Sequence, residues 1–340
     1  MTTAIFLTAA SPQSGGGHVL RCLALAESLE RHGLRPAFAV DSLTLETVGL
    51  LRDSRFQIIE TAPHDLHIAE IGQEAGAMIF DAYGFDSFLE RRWRHQRTVR
   101  IVIDDLANRR HDCEMLVDHA PGRLAEHYAG LVPADCEILA GPSFALLRSD
   151  FRHLRHRALE RRSGAPLRRV LVALGLTDVG GITRRVVEGV LLAGQGLAVD
   201  VVVGRGAASL DWLTGAATGA SVKVHVDVDG AQMAALMVEA DIAVGGGGGA
   251  SLERCCMALP SLVILLAENQ RLIAESLERA GAVTILGDIG SVTAETVAVA
   301  LTSCARDADL RKRATIAASI VDGDGADRVS AAILRRLGQG

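Results

Sequence analysis

Aromatic residues make up only 4% of the chain, although hydrophobic residues as a whole reach 49%. A core so short of rings must be packed from Ala, Val, Ile and Leu, which suits strands buried on both faces of a parallel sheet. No run of 18 or more uncharged apolar residues occurs, so no membrane span is expected. The opening stretch MTTAIFLTAASPQSGGGH lacks the basic segment of a secretory signal, and its apolar part is too short for one. The six cysteines (Cys22, Cys113, Cys136, Cys255, Cys256, Cys304) form no C-x-x-C pair and no metal-ligand spacing. They read as reduced thiols of a cytoplasmic protein, with neither metal nor other cofactor expected. The adjacent Cys255-Cys256 reads as small helix-packing residues. Both G-x-x-x-x-G-K-[ST] and G-x-G-x-x-G are missing, which disfavours ATP with Mg²⁺ and the usual dinucleotide site. Net charge is −6 with the basic residues scattered, so nucleic acid is not expected as a partner. Nothing in the sequence fixes an oligomeric state.

What is present is alternation. The 340 residues suit two domains of middling size. Short aliphatic runs predict strands over Ala4–Thr8, Pro36–Val40, Phe56–Glu60, Ala77–Asp81, Val99–Asp104 and Met115–Asp118. Amphipathic stretches lie between them, the clearest being Val19–His32. Residues 152–169 break the pattern: they are strongly basic, contain Ser-Gly-Ala-Pro, and read as a solvated helix and linker. Alternation restarts with Val170–Leu174, Ala198–Val203, Val222–Val226, Ile242–Val244 and Ser261–Leu265, and a helical tail covers Thr293–Gly338. The predicted class is α/β, with two Rossmann-like doubly wound domains at 1–151 and 170–340 facing a central cleft. Ligands of such sheets bind at the carboxyl ends of the strands, so the motifs should follow strands.

They do. Gly15-Gly16-Gly17-His18 lies between the first strand and its helix. Gly16 and Gly17 let the backbone approach a ligand, and the helix start offers unpaired N–H groups. His18 there is either a structural cap or a base, since a neutral imidazole facing a ligand can take a proton from water. Arg21, one turn on, faces either a diphosphate or solvent. Asp81-Ala82-Tyr83-Gly84 follows another strand; Asp81 can hold the loop or touch a substrate, with Tyr83 beside it. In Asp104-Asp105-Leu106-Ala107-Asn108 adjacent carboxylates point to opposite faces, so one of them, taken as Asp104, faces the ligand side. Asn108 either bonds a sugar or stabilises the turn.

The densest segment runs from Ala240 to Glu253, a strand entering Gly245-Gly246-Gly247-Gly248-Gly249 and then a helix. Backbone N–H groups of Gly247, Gly248 and Gly249 make an anion cradle suited to a diphosphate, with Ser251 adding a hydroxyl. Glu253, in the helix's first turn, either matches the dipole or accepts two ribose hydroxyls. Glu268, Asn269 and Gln270 follow the next strand as a polar, sugar-binding cluster, though Asn269 can also cap the helix.

G-G-G-H-V-L-R-C-L-A-L-A, D-x-Y-G-F-D, I-D-D-L-A-N-R-x-H-D-C, G-P-x-F-A-L-L-R-x-D-F and G-G-G-A-S-L-E-R-C-C-x-A-L-P-S-L-V-I-L-L-A-E-N-Q occur in that order. Together they resemble the UDP-2,4-diacetamido-2,4,6-trideoxy-β-L-altropyranose hydrolases of pseudaminic acid biosynthesis, over about residues 15 to 280. The resemblance implies a GT-B type fold, a UDP-sugar as ligand, and UDP held mainly by the C-terminal domain. It implies His18 as the base that activates water at the anomeric carbon, without a metal. Glu253 would hold the ribose, and Glu268, Asn269 and Gln270 would line the sugar and phosphate side. The chain departs from the family at Ala82, where the family has histidine, at Gly249 and Ala250, where it has hydroxyl residues, and at Leu176 in its G-G-T-D. A glycosyltransferase of the same architecture is the alternative that the motifs leave open.

Overall fold

Most of the aliphatic runs become strands buried on both faces, and the exceptions, Gln57–Glu60 and Val222–Val226, lie at sheet edges. In the computed structural model, residues 2–61, 75–94, 97–162, 167–194, 196–215, 221–305 and 310–338 are described. Two compact units result, one from residues 1–148 and 323–340, the other from residues 149–322.

The first unit carries β1 (Thr3–Thr8), β2 (Arg35–Val40), β3 (Gln57–Glu60), β4 (Ala77–Asp81), β5 (Val99–Ile103), β6 (Met115–Asp118) and β7 (Glu137–Ala140), in the order β3-β2-β1-β4-β5-β6-β7. Every pairing is parallel. The order reverses between β1 and β4, so their carboxyl ends form the crevice where such sheets take ligands. Helix Gly17–Arg31 covers this switch point, burying Val19, Cys22, Leu23, Leu25, Ala26 and Leu29. The few rings present are concentrated: Phe6 stacks on Phe38 with centroids 4.9 Å apart.

The second unit repeats the plan with β8 (Arg169–Ala173), β9 (Ala198–Val203), β10 (Val222–Val226), β11 (Ile242–Gly246), β12 (Ser261–Leu265) and β13 (Val283–Asp288). Its order is β10-β9-β8-β11-β12-β13, again parallel, with the switch between β8 and β11. Val170, Val172, Val199, Val201, Val203, Ile242 and Val244 fill its core, so the aromatic deficit costs it nothing in packing.

Three sequence expectations change. Strands β7 and β13 were not predicted, because their faces are only partly buried and lack a continuous apolar run. The basic stretch opens as a helix, as expected, over Ser149–Arg161, but that helix belongs to the second unit rather than linking two domains. Its arginines are spent on backbone carbonyls there. Arg161 donates to Glu239 O at 2.6 Å, Arg162 donates to Ala240 O at 2.6 Å, and Arg155 donates to Cys256 O. The predicted Ser-Gly-Ala-Pro turn at 163–166 lies outside the described residues. The tail is not one element of the second domain either: helix Gly325–Arg336 returns to the first unit, where Asp327 takes Ser28 Oγ at 2.6 Å.

Candidate active site

Strand β1 ends at Thr8, and the loop after it folds back on itself before the helix. Ser11 and Ser14 bond each other's backbone N–H, and Gly15 adopts φ +72° to bridge to Ser11. Only glycine takes that conformation without strain. The helix therefore starts at Gly17, two residues earlier than predicted, with no side chain capping it at Gly16. His18, Arg21 and Cys22 share one face, because residues three and four apart are neighbours on a helix. Strand pairing sets Thr8 beside Asp81 at the end of β4, and this brings the carboxylate to that face.

Asp81 takes everything the face offers. His18 Nδ1 lies 2.6 Å from its Oδ1, Arg21 Nη2 donates to Oδ1 at 2.6 Å, and Arg21 Nε donates to Oδ2 at 2.7 Å. Cys22 Sγ adds a 3.4 Å contact. Burial by itself would raise the Asp81 pKa, but the Arg21 guanidinium and the His18 ring hold it well below the usual carboxylate range. An ionised acceptor at that distance places the imidazole proton on Nδ1 and leaves the Nε2 lone pair free. Nε2 makes no hydrogen bond among the described residues, and the His18 side chain remains 10% exposed. Tyr83 packs its ring edge-on against His18, centroids 4.6 Å apart, and limits rotation of the imidazole. The arrangement is a buried acid orienting a histidine whose outer nitrogen can accept a proton.

Arg21 completes the cluster by donating through Nη1 to Asp105 Oδ2 at 2.8 Å. Burial opposes its charge, and the two carboxylates more than restore it. Two candidate substrate-binding side chains, Asp81 and Arg21, are thus bonded within the protein. Asp81 and Arg21 neutralise one another inside the protein, and the same carboxylate holds the His18 ring. Asp104 is 1% exposed, and its carboxylate accepts Arg109 Nη1 at 2.7 Å, Ala107 N at 2.8 Å and Tyr128 Oη at 3.0 Å. It holds the loop, while its neighbour Asp105 reaches the cluster. Asn108 is exposed on that loop beside Arg109.

Two residues escaped the sequence reading. His119 follows β6 and is 3% exposed; burial and then Arg21 pull its pKa down to about 4, so the ring is neutral near pH 7. Asp118 before it is fully buried, and burial pushes its pKa up to about 6 despite bonds from Ala120 N and Tyr128 Oη. Only the sheet order puts His119 near His18, and no local motif announces it.

In the second unit, β11 runs into the glycines and helix Ala250–Cys256 follows. Gly248 and Gly249 reach the surface, whereas Gly247 is buried and its N–H donates to Gln270 Oε1 at 2.9 Å. Gln270 Oε1 also accepts Leu266 N at 3.2 Å, so this side chain braces the turn rather than facing a sugar. A Cβ at Gly247 would stand 3.1 Å from Ala274 Cβ and 3.2 Å from Leu265 Cδ2, so the close packing requires glycine there. Ser251 is fully buried, and its hydroxyl donates to Gly246 O at 3.0 Å. Glu253 is half-buried in the first helical turn. Glu268 and Asn269 are exposed on a single 3₁₀ turn, with Glu268 accepting Arg271 Nε at 2.9 Å.

The fold has relatives among solved structures. MurG of Acinetobacter baumannii superposes with a TM-score of 0.67 at 15% identity, covering 98% of this chain and all of that one. A putative UDP-N-acetylglucosamine 2-epimerase of Listeria monocytogenes gives 0.67 at 11% identity, covering 100% and 97%. Both units are Rossmann-like, of the GT-B type. In sequence, the UDP-2,4-diacetamido-2,4,6-trideoxy-β-L-altropyranose hydrolase of Campylobacter jejuni is 26% identical over 162 residues, 43% of this chain and 52% of that protein. The chain thus spans about half the length of that relative. The spore coat polysaccharide biosynthesis protein SpsG of Bacillus subtilis is 23% identical over 291 residues, 81% of this chain and 80% of that protein. No protein-family model matches. Among the described residues no helix is long and apolar enough to cross a membrane.

Proposed function

We propose that the chain hydrolyses a UDP-linked 2,4-diacetamido-2,4,6-trideoxy sugar to UDP and the free sugar. The observation that carries this reading is the His18–Asp81 pair at the switch point of the first unit, 2.6 Å apart, with His18 Nε2 left open. Water attacks the anomeric carbon and gives its proton to Nε2. The bond from that carbon to the phosphate oxygen breaks, and its electrons leave with UDP. Asp81 stabilises the imidazolium that forms, because its carboxylate stays ionised. The exposed glycines of the second unit are assigned the diphosphate, and Glu253 the ribose. Sequence similarity to the Campylobacter hydrolase supports water as the acceptor, whereas the same base would serve an acceptor hydroxyl in a transferase.

Incubation of the protein with UDP-2,4-diacetamido-2,4,6-trideoxy-β-L-altropyranose, without acceptor or metal, is expected to release UDP and free sugar by NMR. His18→Ala should abolish turnover with UDP affinity nearly unchanged. Intact substrate in the presence of bound UDP would replace hydrolysis by transfer or by another sugar, and equal loss of turnover and affinity in the variant would remove His18 as the base.

A further inference from the structure

Beneath the glycine turn lies a charge that the proposed reaction does not use. Arg254 is 1% exposed. Its Nη2 donates to Gly246 O at 2.6 Å and to Ser251 Oγ at 2.9 Å, and its Nε donates to Ser261 Oγ at 3.1 Å. Every acceptor is neutral. Among the described residues Arg254 forms no ion pair, and its Nη1 has no hydrogen-bond partner. The buried guanidiniums of Arg100 and Arg21 are treated differently: Arg100 meets Asp112 and Glu114, and Arg21 meets Asp81 and Asp105.

The bare nitrogen has a definite place. A Cβ on Gly245 would stand 2.6 Å from Nη1 and 3.0 Å from Ala173 O, and Gly245 pairs with Ala173 across β11 and β8. Nη1 therefore lies at the carboxyl ends of the two strands that flank the switch point, directly under the turn. A buried cation without a counter-ion is costly unless something supplies the missing charge. Burial already pulls its pKa down to about 10, which still leaves it protonated at neutral pH.

We propose that Arg254 is a positioning residue for a diphosphate at the glycine turn: it braces the turn through Gly246 and Ser251 and offers a positive charge that, among the described residues, no carboxylate pairs with directly. The assignment rests on the nucleotide reading above for the identity of the ligand, but the charge argument itself calls only for an anion. Its sequence position is unremarkable, since an arginine in the second turn of a helix usually faces water.

The test is calorimetric titration of the full chain with inorganic pyrophosphate, UDP and uridine, for wild type, Arg254→Gln, Arg254→Met and Arg254→Lys. Removing one charge at low-dielectric range is expected to weaken pyrophosphate and UDP roughly 10- to 100-fold in the Gln and Met variants, with uridine unchanged. Lys keeps the charge and should hold pyrophosphate within about fivefold of wild type, although it cannot reproduce the fork of hydrogen bonds. A merely structural brace would depress uridine and pyrophosphate alike and would not be rescued by Lys. Neutral variants that fold and bind pyrophosphate as wild type does would overturn the proposal. If neither neutral variant folds, a loss beyond about tenfold in the Lys variant overturns it and retention supports it. Wild type binding neither pyrophosphate nor UDP would also overturn it, whereas binding pyrophosphate without UDP would remove the nucleotide reading alone.

Discussion

Replacing His119 by Gln should change how the protein responds to acid, in a direction the structure fixes. The ring is 3% exposed, and its pKa falls from 6.5 to about 4 through burial and the nearby Arg21. A folded pKa below the unfolded one means that the group's stabilisation is complete above pH 6.5 and is lost as pH falls toward 4. At ~1.36 kcal/mol per pH unit, that loss is about 3 kcal/mol. Asp118 works in the opposite sense: its pKa rises from 3.8 to about 6, so its contribution is greatest below pH 3.8 and is lost as pH rises through 6. The two neighbours offset each other in wild type and flatten its profile. His119→Gln removes one arm of the balance, so between pH 7 and pH 4 the variant should gain about 3 kcal/mol relative to wild type. Urea melts of both proteins at pH 4, 5, 6 and 7 measure that difference. A gap that stays constant within about 0.5 kcal/mol across the series would refute a neutral, buried ring at this position.

Substitutions at two further positions test the His18 pair and the glycine turn. Asp81→Asn keeps the size of the side chain but lets the His18 proton move to Nε2, so turnover should fall about 10³- to 10⁴-fold with nucleotide affinity kept, read by UDP release; a loss under tenfold would show that Asp81 does not set the ring. Gln270→Leu orphans Gly247 N–H and Leu266 N–H and should cost roughly 1–3 kcal/mol in a urea melt. Gln270→Glu keeps the acceptor and should recover most of that stability; equal destabilisation by Leu and Glu would mean the bonds do not brace the turn.

The parts of this molecule that sequence discloses are those fixed by local pattern. Strands buried on both faces leave continuous aliphatic runs, and the glycine loops follow two of them. His18 stood out because a histidine right after Gly15-Gly16-Gly17 needs a reason. Asp81 was a candidate in its own right, but its pairing with His18 was not legible, since it lies 63 residues away and meets the ring only because β4 inserts beside β1. The same holds for Asp105, which sequence could not separate from Asp104: both follow β5, and only the Arg109 and Tyr128 contacts show which carboxylate the loop consumes. Charged stretches misled for a related reason. The basic run near residue 155 reads as solvated, yet Arg155, Arg161 and Arg162 find backbone carbonyls that no linear pattern reveals. Ser251 looked like a phosphate ligand by its spacing, and its hydroxyl turned inward because Gly246 O lies within reach.

Both switch points carry a buried arginine, and the difference in how each is neutralised separates their chemistry. At the first, Arg21 is matched by Asp81 and Asp105, so no net positive charge is left for an anion. What remains usable there is the imidazole that Asp81 orients, a proton acceptor rather than a phosphate binder. At the second, Arg254 has only neutral acceptors, and the turn above it exposes Gly248 and Gly249. An anionic ligand gains most where the protein has withheld a counter-ion, and a base works best where a fixed carboxylate can stabilise the proton it takes. Each unit thus ends its switch point differently: the first in an imidazole oriented by a carboxylate, the second in a guanidinium with neutral acceptors.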